Sequence, residues 1–233
     1  MSRPPRPPAG VPPSEPADRS IPPDADDDDG APSPSGMADG RGRRTSIGAR
    51  RNPASEAAVI AAARSLLQEK GYAGFSIDEV ARRAGAGKPT IYRWWPTKAD
   101  LFIAIYQADK AAAIAMPDTG SLARDLRTLV NALWTFWRTT PSGGAFRALI
   151  AEAQTNPVSL AALRDRFVPQ HMCRLREVFD RAVERGEIAP DNVEALVELY
   201  FGFNWFRLLM NRIDDDPDHV ARAVQMMVEG ARR

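Results

Sequence analysis

The chain has 233 residues, 44% of them apolar and 26% charged, which is enough for a substantial core in one long or two ordinary domains. It has no run of about 18 apolar residues, so no membrane-spanning helix is expected. The arginines near its start precede no apolar stretch of the kind a secretory signal needs. A single cysteine, Cys173, leaves no partner for an internal disulfide and fits a reducing, cytoplasmic setting. The net charge of +1 conceals an uneven distribution: residues 1–40 carry −5, residues 41–98 carry +8 and the remainder −2. Positive charge is concentrated over the second of these stretches, as contact with a phosphate backbone requires.

Residues 1–40 are rich in proline, include Asp26 to Asp29 and hold almost no large apolar side chain. Such a composition cannot bury enough surface to offset its ordering entropy, so a disordered tail is expected over residues 1–48. Competition of this acidic tail for the basic patch is the alternative role. Arg41, Arg43, Arg44, Arg50 and Arg51 come next in the chain. They read either as a flexible arm that lies along phosphates or enters a minor groove, or as a solubilising linker.

Asn52-Pro53 reads as a helix cap and then a proline in the first turn. Val59, Ile60, Ala63, Leu66 and Leu67 then recur at helical spacing up to Lys70-Gly71. Ser76-Ile-Asp-Glu79 has the form of a capping box, and the helix it opens runs to Ala84. Gly85 suits a tight turn, and Ile91, ten residues after Ala81, can pack back between the two helices. The second helix, about Lys88 to Trp95, turns Ile91 and Trp95 inward and leaves Lys88, Pro89, Thr90, Tyr92 and Arg93 outward. Thr97-Lys-Ala-Asp100 caps a third, longer helix. Residues 49–97 therefore read as a helix-turn-helix domain.

The string GAGKPTIYRWWPTKADLF resembles the end of the DNA-binding domain of the TetR family of transcriptional regulators, and the likeness extends over about residues 53–105. That family usually places serine or threonine where Gly87 stands. The chemistry of the outward residues accords with a DNA contact. Lys88 and Lys98 would pair with phosphates, Tyr92 would donate to one, and Thr90 and Pro89 would reach thymine methyls or base edges. Arg93 would read a guanine or meet a phosphate. Ser76 caps a helix whose N-terminus could hold a phosphate, or is a cap alone. Arg50 and Arg51 complete the expected contact set.

From Met116-Pro117 onward the pattern is helical throughout, with no strand alternation, so the chain is expected to be all-α with about nine helices. Pro141-Ser-Gly-Gly144 is expected to separate two helices, and Pro169 to kink or divide a third. The segment Asp191 to Asn211 is apolar nearly all round, which points to burial by its own domain and by a second subunit. The resemblance, carried here more loosely by Ala182-Val-Glu-Arg-Gly-Glu-Ile188, implies that residues 98–233 bind a small-molecule effector and form a homodimer through the last two helices. Trp134, Trp137, Phe146, Met172, Phe203, Asn204 and Arg207 are the ligand candidates, an aromatic set with a few polar groups. Ordinary core and interface is the other reading of each.

No nucleophile elbow, phosphate-cradling glycine loop or zinc-protease motif is present, and His171 and His219 lack companions at ligand spacing. Neither enzyme chemistry, a metal nor a cofactor is expected. The resulting expectation is a dimeric regulator, most simply a repressor, that binds double-stranded palindromic operator DNA and is released by an unidentified effector. An effector-independent DNA-binding protein that acts through a protein partner is the alternative.

Overall fold

A proline has no N–H to donate and so suits the first turn of a helix. Four helices of this chain begin on one: Pro53, Pro141, Pro157 and Pro217. Before three of them an Asn or Asp side chain takes up an otherwise orphaned amide. Asn52 accepts from Ala54 N, Asn156 from Val158 N and Ser159 N, and Asp216 from His219 N. A computed structural model of the chain describes residues 52–213 and 216–232. The acidic tail and the arginine arm, with Arg50 and Arg51, lie outside the described residues.

The helices are α1 (Pro53–Lys70), α2 (Ile77–Ala84), α3 (Lys88–Trp94), α4 (Lys98–Ala113), α5 (Leu122–Thr139), α6 (Pro141–Ala153), α7 (Pro157–Ala162), α8 (Val168–Glu184), α9 (Val193–Leu209) and α10 (Pro217–Gly230). Helix α7 runs into α8 without a break, so among the described residues there are nine rods and no strand. The all-α expectation holds. Helices α1, α2 and α3 form the helix-turn-helix unit, and α4 packs against α1 on one side and α5, α6 and α7 on the other. Helix α1 also packs directly on α6. Val59, Ala63, Leu66, Val80, Ile91 and Leu101 make the fully buried centre of the first unit, and Leu122, Leu126, Val130, Phe146 and Phe179 that of the larger bundle.

One expectation is corrected and another is narrowed. The glycines of Pro141-Ser-Gly-Gly144 do not lie in a break: α6 starts at Pro141 and they form its first turn. The break is Thr140 alone, and Gly143 is required because a Cβ there would stand 2.0 Å from the Trp137 carbonyl oxygen. Pro169 does not divide its helix. The rod instead widens just ahead of it into a π-turn, Leu163–Phe167, where the Val168 amide reaches back five residues to the Leu163 carbonyl. Widening accommodates a proline that cannot supply the next hydrogen bond in the ladder.

The string Arg185-Gly-Glu-Ile188 has a local purpose. Helix α8 ends there, and the Glu187 carboxylate accepts from the Leu122 amide at 2.8 Å. It caps α5 in place of Ser121, whose side chain makes no cap bond. Arg181 donates to the Pro117 carbonyl at 2.8 Å, which fastens the α4–α5 connection to the same helix end.

The two neighbouring glycines of α6 give a test of this packing. Gly143→Ala should cost about 1–3 kcal/mol through overpacking. Gly144→Ala, which meets open space, should be neutral or stabilising by up to about 1 kcal/mol in chemical denaturation. Equal effects at the two sites would contradict the close α5–α6 approach.

Candidate nucleic-acid interface and effector cavity

The turn between α2 and α3 is built by Gly85, whose backbone is left-handed (φ 62°, ψ 27°) and whose successor, Ala86, donates back to the Ala81 carbonyl at 3.1 Å. Ala81 and Ile91 are buried in the crossing, as the spacing requires. Ser76 caps α2 by accepting from the Glu79 amide at 3.3 Å. Only half of the expected capping box forms, because the Glu79 carboxylate turns to arginines instead of the Ser76 amide. It takes Arg82 through two hydrogen bonds of 2.7 and 2.9 Å and Arg83 through one of 3.0 Å. Arg83 also reaches Glu69 of α1 at 2.7 Å and so clamps α1 to α2. Hydrogen bonds from Arg83 to Glu69, and from Arg82 and then Arg83 to Glu79, hold both carboxyls at about 2 against the ordinary 4.5. A lowered carboxyl stabilises the fold above its unfolded value, so this clamp is complete above pH 4.5 and fades as the pH falls toward 2.

Helix α3 presents Lys88, Pro89, Tyr92 and Arg93 to solvent, with Tyr92 46% exposed, and Thr90 half-buried beside them. Ile91 and Trp95 face inward, and Trp94 stands edge-on to Trp95 at 5.6 Å. Gly87 caps α3 without a side-chain bond. Lys88 is tied to Asp78 in the first turn of α2 at 2.9 Å. The same hydrogen bond raises the lysine's pKa.

Lys98 is placed differently from its neighbours. Its side chain is 29% exposed, lies 4.1 Å over the Tyr72 ring and faces Glu152 of α6 at 3.9 Å. Burial lowers its pKa. The capping box that opens α4 is complete: Thr97 Oγ1 accepts from the Asp100 amide, and Asp100 Oδ2 accepts from the Thr97 amide at 3.0 Å. The other oxygen of Asp100, itself buried, pairs with Arg166 of the π-turn.

Helices α4, α5, α6, α8 and α9 enclose a cavity of about 480 Å³. Its deep wall is aromatic. Tyr106 stacks on Phe146 at 4.5 Å and accepts a 2.8 Å hydrogen bond from Trp137 Nε1, Phe146 meets Phe167 at 4.8 Å, and Phe167 stacks on His171 at 3.8 Å. Tyr200, Asn204 and Trp205 close it from α9. Gln107, Lys110, Gln170 and Arg174 stand on the solvent side of the wall, between α4 and α8. His171 Nδ1 lies 3.0 Å from the Phe167 carbonyl, which can only accept, so that nitrogen carries the proton. Burial, with Lys110 nearby, pushes His171 down to about 3, and the imidazole is neutral.

Of the seven ligand candidates, Trp137, Phe146 and Asn204 line this cavity. Trp134, Met172, Phe203 and Arg207 are not in its wall. Trp134 donates to Asn204 Oδ1 at 2.8 Å, stacks on Phe203 and lies under the Arg207 guanidinium at 5.2 Å, so these groups lock α5 to α9. Met172 packs, partly buried, against the core. Tyr106, Lys110, Phe167, His171 and Arg174 were not anticipated. The last three recur with Gln170 on one helical face, a mixed aromatic and polar stripe that the spacing alone makes visible.

The sequence pattern described as "Bacterial regulatory proteins, tetR family" matches residues 59–105, and that of a "Tetracyclin repressor-like, C-terminal domain" matches residues 116–227. An uncharacterised HTH-type transcriptional regulator of Mycobacterium bovis, Mb1581, is 30% identical over 74% of this chain and 85% of its own. The chain belongs to the TetR family. The DNA-binding transcriptional repressor TetR of Mycobacteroides abscessus is 32% identical over 60% of this chain and 74% of its own length. The crystal structure of the TetR-family regulator SCO0332 superposes with a TM-score of 0.65 at 31% identity, covering 77% of this chain and 99% of that one. As a TetR-family protein this chain is a helix-turn-helix transcriptional regulator. No helix among its described residues is long and apolar enough to cross a membrane.

The cavity wall can be tested without a ligand. Tyr106→Phe removes the acceptor of the buried Trp137 Nε1–H and should lower stability by about 1–3 kcal/mol in urea unfolding. An unchanged midpoint would contradict the hydrogen bond.

Proposed function

We propose that this regulator is a repressor that binds a palindromic operator as a dimer through α3 and is released when a small molecule occupies the cavity. The observation that carries the reading is that one helix serves both places. Helix α4 starts at the capping box beside the reader helix and continues as the cavity wall from Ala104 to Ala111. A ligand that favours one setting of α4 would thereby favour one spacing of the two reader helices, which must lie about one DNA turn apart.

The reader set is Ser76, Lys88, Pro89, Thr90, Tyr92 and Arg93, with Arg50 and Arg51 as the arm. Lys88 must exchange Asp78 for a phosphate, and Lys98 must leave Glu152 to join them. Lys98 thus reports on α6 as well as on DNA. Dimerisation would use α9 and α10. Leu199 and Phe206 on α9 and Met210 just past its end are each more than half exposed, and Met226 on α10 is 74% exposed. Apolar exposure of that extent on a lone subunit points to a second copy.

The test is binding-site selection from random DNA, and then anisotropy on the selected palindrome. Tyr92→Ala with Arg93→Ala should weaken binding about tenfold or more, the loss of one or two specific contacts. Undiminished binding would refute this placement of the reader. A DNA complex that no compound in a thermal-shift screen weakens would favour the partner-dependent reading.

A further inference from the structure

The charge of the cavity wall is one-sided. Lys110 of α4 and Arg174 of α8 both line the cavity, close enough for the Arg174 charge to act on Lys110, and among the described residues no Asp or Glu lines it. Neither cation forms an ion pair with a carboxylate among the described residues. The acid next in sequence, Asp109, is engaged by Arg64 at 2.5 Å. Lys110 is half-buried, and burial together with the Arg174 charge pushes it down to about 8. A half-buried lysine beside a second, exposed cation and without a counter-charge is an arrangement that an anion would relieve. The neutral His171 adds no positive charge and leaves its Nε2 as an acceptor. Gln107 and Gln170 join across the same edge at 2.5 Å and bring neutral donors to it.

Resting on the reading of the cavity as the effector site, we propose that its ligand is an aromatic or apolar carboxylic acid. The carboxylate sits between Lys110 and Arg174, and the apolar body lies on Tyr106, Phe146 and Trp205. Neutralising the two cations draws α4 and α8 together at this edge, which supplies the differential interaction between states that release of DNA requires. A cationic ligand is disfavoured at the same place, and a neutral one gains only the apolar part.

The experiment titrates the full chain with three compounds of one shape: 2-naphthoate, its methyl ester and 2-naphthylmethylammonium. Calorimetry gives the affinities and anisotropy on the selected operator gives the consequence. The acid should bind about tenfold more tightly than the ester, and the ammonium more weakly still, as one charge-assisted contact implies. Lys110→Gln and Arg174→Gln should each remove most of that preference while leaving the ester unchanged. Arg174 is exposed, so its variant keeps the fold, and the comparison of compounds on the unaltered chain needs no variant. Equal binding of acid and ester, tighter binding of the ammonium, or no binding by any of the three would overturn the proposal. A neutral compound that binds and still releases operator leaves the regulator reading intact while removing the anion. An acid that binds with the expected preference but leaves operator affinity unchanged supports the anion and contradicts the release.

Discussion

Asp100 is the residue on which the arrangement turns. Its Oδ2 accepts from the amide and the hydroxyl of Thr97, at 3.0 and 2.7 Å, and so closes the connection between α3 and α4. Its Oδ1 meets the guanidinium of Arg166 in the π-turn. A buried carboxylate is tolerated only when it is paired and hydrogen-bonded, so neither half of this arrangement is dispensable. Removing Arg166 leaves a charge without its partner, and removing Thr97 leaves α4 without its cap. The exit from the helix-turn-helix unit is thereby tied to the same rod that carries Phe167, Gln170, His171 and Arg174 around the cavity.

The π-turn gives that rod its shape. Pro169 cannot continue the hydrogen-bond ladder, and the extra residue per turn ahead of it rotates α7 relative to α8. Arg166 is carried to Asp100 on one side, while Phe167 is carried into the aromatic stack with Phe146 and Tyr106 on the other. Adjacent residues of one turn thus serve the DNA-binding unit and the cavity. The aromatic stack is continuous from α4 through α6 and the π-turn to α8.

Much of the fold was legible in the sequence because helix ends carry chemical signatures. Asn52, Ser76 and Thr97 marked three starts correctly, and the Ala81, Gly85 and Ile91 offsets placed the turn. The outward set on α3 was legible for the same reason: a short helix with one buried aliphatic has few faces to choose from. The failures depended on partners distant in sequence or on competing side chains. The capping box at Ser76 looked complete, but nothing local says that Arg82 and Arg83 will claim Glu79. Lys98 looked like a free cation, and its partner Glu152 is on α6. Trp134 and Arg207 looked like ligand groups because they are polar or aromatic within apolar helices. Asn204 satisfies the indole of Trp134 from 70 residues away, a pairing that periodicity does not encode. The cavity draws on five helices, and its two cations are ordinary helix residues until α4 and α8 bring them together.

The link between Arg166 and the start of α4 is the most direct point at which to test this coupling. Hydrogen exchange of the full chain, compared with Arg166→Gln, does so without DNA or ligand. Exchange at the Thr97 and Asp100 amides should become roughly tenfold faster, with the effect extending into the Lys88–Trp94 helix, because the unpaired Asp100 no longer holds the cap. Faster exchange confined to the Pro157–Ala162 helix and the turn after it, with the Thr97 and Asp100 amides unchanged, would contradict the coupling.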